Sequence, residues 1–229
     1  MMNSMASVKT QGIPRQSNGL DRLVSTPSSS EIVKRALDLT ITTLALVALA
    51  PLIAVVACLI KLHDGGPVFF RQRRIGRDGI PFWCYKFRSM VQNAEALRAA
   101  LAAQNVHGPD GITFKVKRDP RITPIGRLLR KTSLDELPQL INVLRGEMSL
   151  VGPRPPLPSE VALYNEWHLQ RLAVLPGLTC LWQVSGRAEL PFEEQVRLDL
   201  EYIARRNLAL DLSLLVRTVP AVISGRGAC

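Results

Sequence analysis

Metal-binding and disulfide chemistry have little to work with in this chain. Its four cysteines, Cys58, Cys84, Cys180 and Cys229, stand far apart with no Cys-x-x-Cys spacing. Neither a zinc site nor a disulfide framework is indicated, which suits a reducing compartment. The histidines, His63, His107 and His168, are equally scattered, which argues against a histidine metal cluster and leaves a Ser-His triad without a local signature. No Walker loop, Gly-x-Gly-x-x-Gly turn or internal repeat is present. No apolar run follows Met1, so no secretory leader is expected there. Acid is also scarce: 19 Asp and Glu face 29 Lys and Arg, a net charge of +10 in a chain that is 47% hydrophobic. Basic and apolar together point to an anionic membrane surface as readily as to nucleic acid. At 229 residues there is room for one sizeable core with appendages.

Residues 1–30 are polar and Ser-rich, with Pro14 and Pro27. They bury too little apolar surface to offset ordering entropy and read as a disordered tail. Leu39–Ile60 is a run of 22 residues without a charge, long enough for a membrane helix; a buried core helix is the plainer alternative. Pro51 follows Ala50 past its middle and should kink it. Both flanks are basic, with Lys34 and Arg35 before and Lys61, Arg71, Arg73 and Arg74 after, so a simple span would leave one on the wrong side. The expectation is a re-entrant helix hairpin over residues 31–62, kinked at Pro51, with residues 63–229 forming a cytoplasmic domain.

That domain reads as α+β and mostly helical. Val68–Arg88, two apolar-aromatic runs around Gly76-Arg77-Asp78-Gly79, predicts a β-hairpin. Glu95–Asn105 has high helix propensity, and residues 107–112 read as a loop. Pro158–Leu175 predicts helix. Phe192–Asn207 predicts an amphipathic helix with Phe192, Val196, Leu200 and Ile203 on one stripe. Leu208–Ile223 is apolar but interrupted by Asp211, Arg217 and Pro220, so it should lie in the membrane interface or pack on the core.

The chemistry gathers at Arg130-Lys131-Thr132-Ser133-Leu134-Asp135-Glu136-Leu137-Pro138-Gln139-Leu140. Adjacent carboxylates, Asp135 and Glu136, sit at an expected helix start. Before them, Lys115, Lys117, Arg118, Arg121, Arg127, Arg130 and Lys131 are opposed by Asp119 alone. Paired carboxylates among cations suit a divalent metal and a phosphorylated substrate. Ser133-x-x-Glu136 also fits a capping box, and Pro138 fits the third helical position if Asp135 is the cap. The residues alone leave capping and catalysis open. Val151-Gly152-Pro153-Arg154-Pro155-Pro156 holds Arg154 in a proline-stiffened loop, suited to phosphate or to a rigid linker. Leu181-Trp182-Gln183-Val184-Ser185-Gly186-Arg187 offers an indole, an amide and another arginine.

In order along the chain stand the apolar segment with its Pro, Tyr85-Lys86-Phe87-Arg88-Ser89-Met90, Asp119-Pro120-Arg121-Ile122-Thr123, Leu134-Asp135-Glu136-Leu137-Pro138-Gln139, Gly146-Glu147-Met148-Ser149-Leu150-Val151-Gly152-Pro153-Arg154-Pro155 and Pro176-Gly177-Leu178-Thr179. This series, over residues 31–229, resembles the bacterial sugar transferases, the monotopic phosphoglycosyl transferases, in their short exopolysaccharide-initiating form. The resemblance implies transfer of sugar-1-phosphate from a UDP-sugar, with galactose or glucose foremost, to undecaprenyl phosphate, releasing UMP at the cytoplasmic face of a bacterial inner membrane. It implies Asp135 as nucleophile through a phosphosugar-aspartate intermediate, and Asp135 and Glu136 as holders of Mg2+. Lys86, Arg88, Arg121 and Arg154 would line the site, with Gln183, Arg187 and Asp199 as further substrate-binding candidates. Many relatives carry Ser-Pro where this chain has Ala50-Pro51, so the kink remains without a serine hydroxyl. No nucleic-acid partner is expected, and a homodimer is left open. The rival reading is a non-enzymatic basic membrane adaptor.

Overall fold

In the computed structural model the described residues are 28–106, 108, 111–114, 116, 118–186 and 190–224. The expected tail lies outside them except for its last residues, which already begin the first helix. Helix α1 spans Ser29–Asp64. At its start the Ser28 hydroxyl accepts from the Glu31 N–H while the Glu31 carboxylate accepts from the Ser28 N–H. At its end Gly65 takes the left-handed conformation (φ 70°), and Lys61 and His63 occupy the last turn. The helix continues through Pro51, where the sequence suggested a break. The ring removes one N–H, and the Ala-, Leu- and Val-rich turns on either side keep the helical backbone.

Thirty-six residues extend about 54 Å, and α1 is long and apolar enough to cross a membrane by length and composition. Its most apolar 18-residue window is 11% buried. Both halves nevertheless rest on the same body. In the first half Lys34 Nζ donates to Asp211 Oδ2 at 2.7 Å. Arg35 donates to the carbonyls of Val143 (2.6 Å) and Leu144 (3.0 Å). Asp38, 4% exposed, accepts from Ser149 Oγ (2.8 Å) and the Leu150 N–H (3.2 Å). In the second half Val56 and Ile60 pack with Phe87 and Leu129.

The expected hairpin is present. Strand β1 (Phe69–Ile75) pairs antiparallel with β2 (Pro81–Phe87), placing Phe70 opposite Lys86 and Phe69 opposite Phe87. The turn between them carries Asp78 and Gly79 at positive φ. Glu95–Asn105 forms no α-helix; its ordered part is a 3-10 stretch, Ala99–Gln104. Alanine propensity alone does not fix a short helix, whose stability comes mostly from tertiary packing.

Helix α2 (Pro124–Lys131) starts where Thr123 Oγ1 accepts from the Gly126 N–H. Helix α3 (Gln139–Arg145) stops at Gly146 (φ 79°), as the glycine suggested. Strand β3 (Ser149–Val151) pairs in parallel with β4 (Gly177–Thr179), a pairing the sequence did not announce. The single helix expected over Pro158–Leu175 is broken into α4 (Pro158–Val161), α5 (Glu166–Leu169) and a 3-10 turn, Gln170–Ala173. Asn165 makes that break by capping α5, accepting from the His168 N–H at 2.9 Å. Helix α6 (Phe192–Arg205) follows as expected, then α7 (Leu208–Ser224). Helix α7 packs on the core through buried Asp211 and Leu214 and leaves Leu212, Val216 and Val219 exposed. The main core joins Phe82, Leu140, Val143, Met148, Tyr202 and Leu214, with Ile41 and Leu46 of α1 against it. Apolar burial of this kind contributes roughly 1.5–3 kcal/mol per side chain.

Candidate active site

Asp135 and Glu136 lie in a 3-10 turn, Leu134–Glu136, between α2 and α3. Helix α3 begins only at Gln139, and the Ser133 side chain caps nothing, so the capping-box alternative is not realised. Ser133 has a positive φ of 54°, a conformation that costs a non-glycine residue about 1–3 kcal/mol and recurs at functional sites. The turn is held from both sides: Leu134 and Leu137, flanking the carboxylates, pack against the Val56, Ile60, Phe87 and Leu129 cluster. Gly126 brings α2 into backbone contact with Ser89, where a Cβ would land on the Ser89 carbonyl.

The two carboxylates have different environments. Glu136 accepts from Lys86 Nζ at 2.6 Å. Burial pushes the Glu136 carboxyl up, but Lys86, Arg154 and Arg74 outweigh it and hold it below the usual range. Asp135 is 7% exposed and forms no ion pair among the described residues. Burial, with the Glu136 charge beside it, raises its carboxyl to about 6 against the pull of Lys86 and Arg130.

Both carboxylates line a cavity of about 800 Å3. Lys86, Arg88, Arg121, Arg154 and Gln183 line it as well, so most expected site residues converge. Their hydrogen bonds set them apart. Arg88 is engaged by both oxygens of Asp64, at the end of α1, and this pairing holds the Asp64 carboxyl down at about 2. Arg121 is 5% exposed, with its guanidinium held by Asp119 and the Ala94 carbonyl, so it builds the wall. Arg154 sits exposed at the rim. Gln183 Oε1 accepts from Cys180 Sγ at 3.1 Å.

Asp199 is not among the cavity-lining residues. It is fully buried and ion-paired with Arg171, under Tyr164 and Phe192, whose rings lie 5.9 and 5.8 Å from that guanidinium. Its expected contact with substrate is therefore replaced by a buried structural pair, because α6 turns this residue into the core. Arg187 lies outside the described residues.

Two further wall residues stood in basic runs of the sequence but were not among the expected site residues. Arg74, 7% exposed, donates to the Pro155 carbonyl at 2.9 Å and fixes the loop that carries Arg154. Burial, then the nearby Arg154 charge, lowers its guanidinium to about 10. Arg130 Nε donates to Ser89 Oγ at 2.9 Å. The period-two pattern of β1, which puts Arg74 on the face of Phe70 and Gln72, was the signal that could have found Arg74.

Among the described residues no cluster of three or more metal-ligating side chains occurs. Two adjacent hard-oxygen carboxylates facing a cavity lined with Lys and Arg side chains do suit Mg2+, which takes one or two protein carboxylates and completes its shell with water and substrate phosphate.

The bacterial sugar transferase family model matches residues 29–225. The chain is 44% identical over 199 residues to the exopolysaccharide production protein ExoY of Sinorhizobium fredii, covering 86% of this chain and 88% of that relative. It is 43% identical over 202 residues to the undecaprenyl-phosphate galactose phosphotransferase of Salmonella typhimurium, covering 87% of this chain and 42% of the longer relative. With the undecaprenyl-phosphate glucose phosphotransferase of Komagataeibacter xylinus it shares 44% identity over 206 residues, 85% of this chain and 36% of the relative.

Proposed function

The chain belongs to the bacterial sugar transferase family and is a phosphoglycosyl transferase, and on that premise we propose that it passes sugar-1-phosphate from a UDP-sugar to undecaprenyl phosphate by way of Asp135, at the first membrane step of exopolysaccharide assembly. The observation that carries this reading is the divided pair: Asp135 desolvated and without an ion pair among the described residues, Glu136 ionised against Lys86, both in one cation-lined cavity.

In the first displacement a carboxylate oxygen of Asp135 attacks the phosphorus that carries the sugar. The bond to the bridging oxygen breaks and UMP leaves with that electron pair. In the second, a phosphate oxygen of the lipid attacks the same phosphorus and the Asp135 carboxylate departs. Two steps let a soluble donor and a lipid acceptor use one site in turn. Lys86 and Arg154 offset the charge that would repel a carboxylate from a diphosphate. Mg2+, held by Asp135 and Glu136, would supply further charge neutralisation on the diphosphate. Burial strips Asp135 of water, which leaves its ionised form a poorly solvated nucleophile; Glu136, kept charged by Lys86, stays available to the metal.

Helix α1 enters the same reading as a re-entrant element. Its two ends contact one globular body, an arrangement a bilayer between them would forbid. This supports both ends of α1 staying on one side of the membrane, with the body held at the cytoplasmic leaflet.

The test is UMP release from purified protein given undecaprenyl phosphate, Mg2+ and a panel of UDP-sugars, with labelled sugar-phosphate trapped on the protein when lipid is withheld. Asp135→Asn should abolish both signals and leave membrane association intact. Trapped label on the Asp135→Asn variant would refute the assignment of the nucleophile. A wild type that is folded, membrane-bound and inert toward every donor would favour the adaptor reading.

A further inference from the structure

We infer that the hydrocarbon tail of the acceptor lipid enters the cavity beside the C-terminal half of α1, over a sill made by Phe69 and Phe70; this rests on the acceptor being a polyprenyl phosphate. Both rings line the cavity, yet Phe69 is 53% and Phe70 45% exposed. A side chain that is both wall and surface stands at a mouth.

The sill is continuous with the part of the molecule suited to lipid. The α1 helix ends five residues before Phe69. Its outward stripe, Val55, Leu59 and Leu62, is 47–77% exposed and is spaced to fall on one face. Inward from Phe69 the packing contacts are apolar. Phe69 stacks on Phe87 with centroids 5.4 Å apart, and Phe87 packs with Val56, Ile60, Leu134 and Leu137. Those two leucines bracket Asp135 and Glu136.

Charge completes the fit. Phe70 sits opposite Lys86 in the hairpin, and directly opposed residues share a face of the sheet. A ligand laid over Phe70 therefore meets an ammonium at its inner end. Hydrocarbon outside and monophosphate inside, one strand-width apart, is the chemistry of a polyprenyl phosphate. A free phosphate would use the inner end and have no need of the sill.

The experiment compares a long-chain polyprenyl phosphate with a short two-isoprene phosphate as acceptors, using wild type, Phe70→Ala, Phe70→Leu and Leu215→Ala. Leu215 lines the cavity from α7 and represents the other apolar wall. The readout is the ratio of kcat/KM for the long acceptor to that for the short one, which cancels effects common to both. Acceptor binding without donor, followed by native mass spectrometry, reads the same preference when no turnover occurs. Phe70→Ala should lower the ratio about fivefold or more, as expected when the long tail alone is deprived of an aromatic surface to lie on, and Phe70→Leu should restore most of it. Inorganic phosphate should inhibit wild type and Phe70→Ala alike. An equal fall for both acceptors, or a ratio that falls with Leu215→Ala and holds with Phe70→Ala, would overturn the inference. A wild type that binds the long acceptor over the sill but releases no UMP would sink the proposed reaction and leave the sill standing.

Discussion

Replacing Asp135 by Asn should make the protein inactive and more stable at the same time. The carboxyl rises from its ordinary 3.8 to about 6, chiefly because burial disfavours the charged form. Roughly two pKa units at 1.36 kcal/mol each correspond to about 3 kcal/mol. Because the folded state binds this proton more tightly than the unfolded state, the stability it confers is fully present below 3.8 and is lost as pH rises through about 6. At pH 7.5 the ionised carboxylate therefore works against folding, and a neutral amide of the same shape removes that burden. For a domain of this size 1 kcal/mol moves Tm by about 2–4 °C, so the gain should be about 6–12 °C. The assay is thermal unfolding in detergent with EDTA, at pH 7.5 and 4.5, for wild type and Asp135→Asn. The gain should be large at the higher pH and small at the lower. A variant no more stable than wild type at pH 7.5, or equally stabilised at both pH values, would refute the claim that Asp135 is held desolvated and charged.

The same titration predicts that transfer activity falls as pH drops below about 6, where Asp135 takes up its proton; a rate profile at limiting Mg2+ checks this, and saturating metal should move the fall to lower pH. Lys86→Met leaves Glu136 half-buried without its 2.6 Å partner and should cost about 100-fold or more in kcat/KM, of the order seen when one charge-stabilising donor is removed, while circular dichroism stays unchanged. Gly126→Ala places a methyl on the Ser89 carbonyl and should destabilise by about 3 kcal/mol, at the upper end for overpacking, read as a lower Tm. Asp38→Ala removes two buried hydrogen bonds to β3 and should cost about 2–4 kcal/mol by leaving Ser149 Oγ and the Leu150 N–H unpaired.

Local signals carried much of the fold. Gly146 stopped α3 because a left-handed residue was needed there, and the turn chemistry of Gly76–Gly79 marked the β1–β2 hairpin. Both act within a few residues. The Glu95–Asn105 helix failed because propensity without packing decides little, and the Pro158–Leu175 helix failed because Asn165 caps within the segment. The β3–β4 pair was illegible because three-residue strands leave no periodic trace and their partners come together only through tertiary contacts. At the site, residue chemistry singled out Asp135 and Glu136, the resemblance to the sugar transferases added Lys86, Arg88 and Arg154, and all five line one cavity. Sequence order could not say that Arg121 would be committed to Asp119 or Asp199 to Arg171, since a side chain's partners are fixed by how elements pack.

Leu134 and Leu137 rest on Val56 and Ile60, so on the proposed reading the apolar helix α1 carries the turn that bears both carboxylates. A bilayer that is too thick or too thin shifts α1 to cover its apolar length, and the turn bearing both carboxylates must ride with it. Turnover should vary with acyl-chain length in reconstituted membranes, and a version trimmed of residues 29–64 for solubility would lose the floor beneath its own active site.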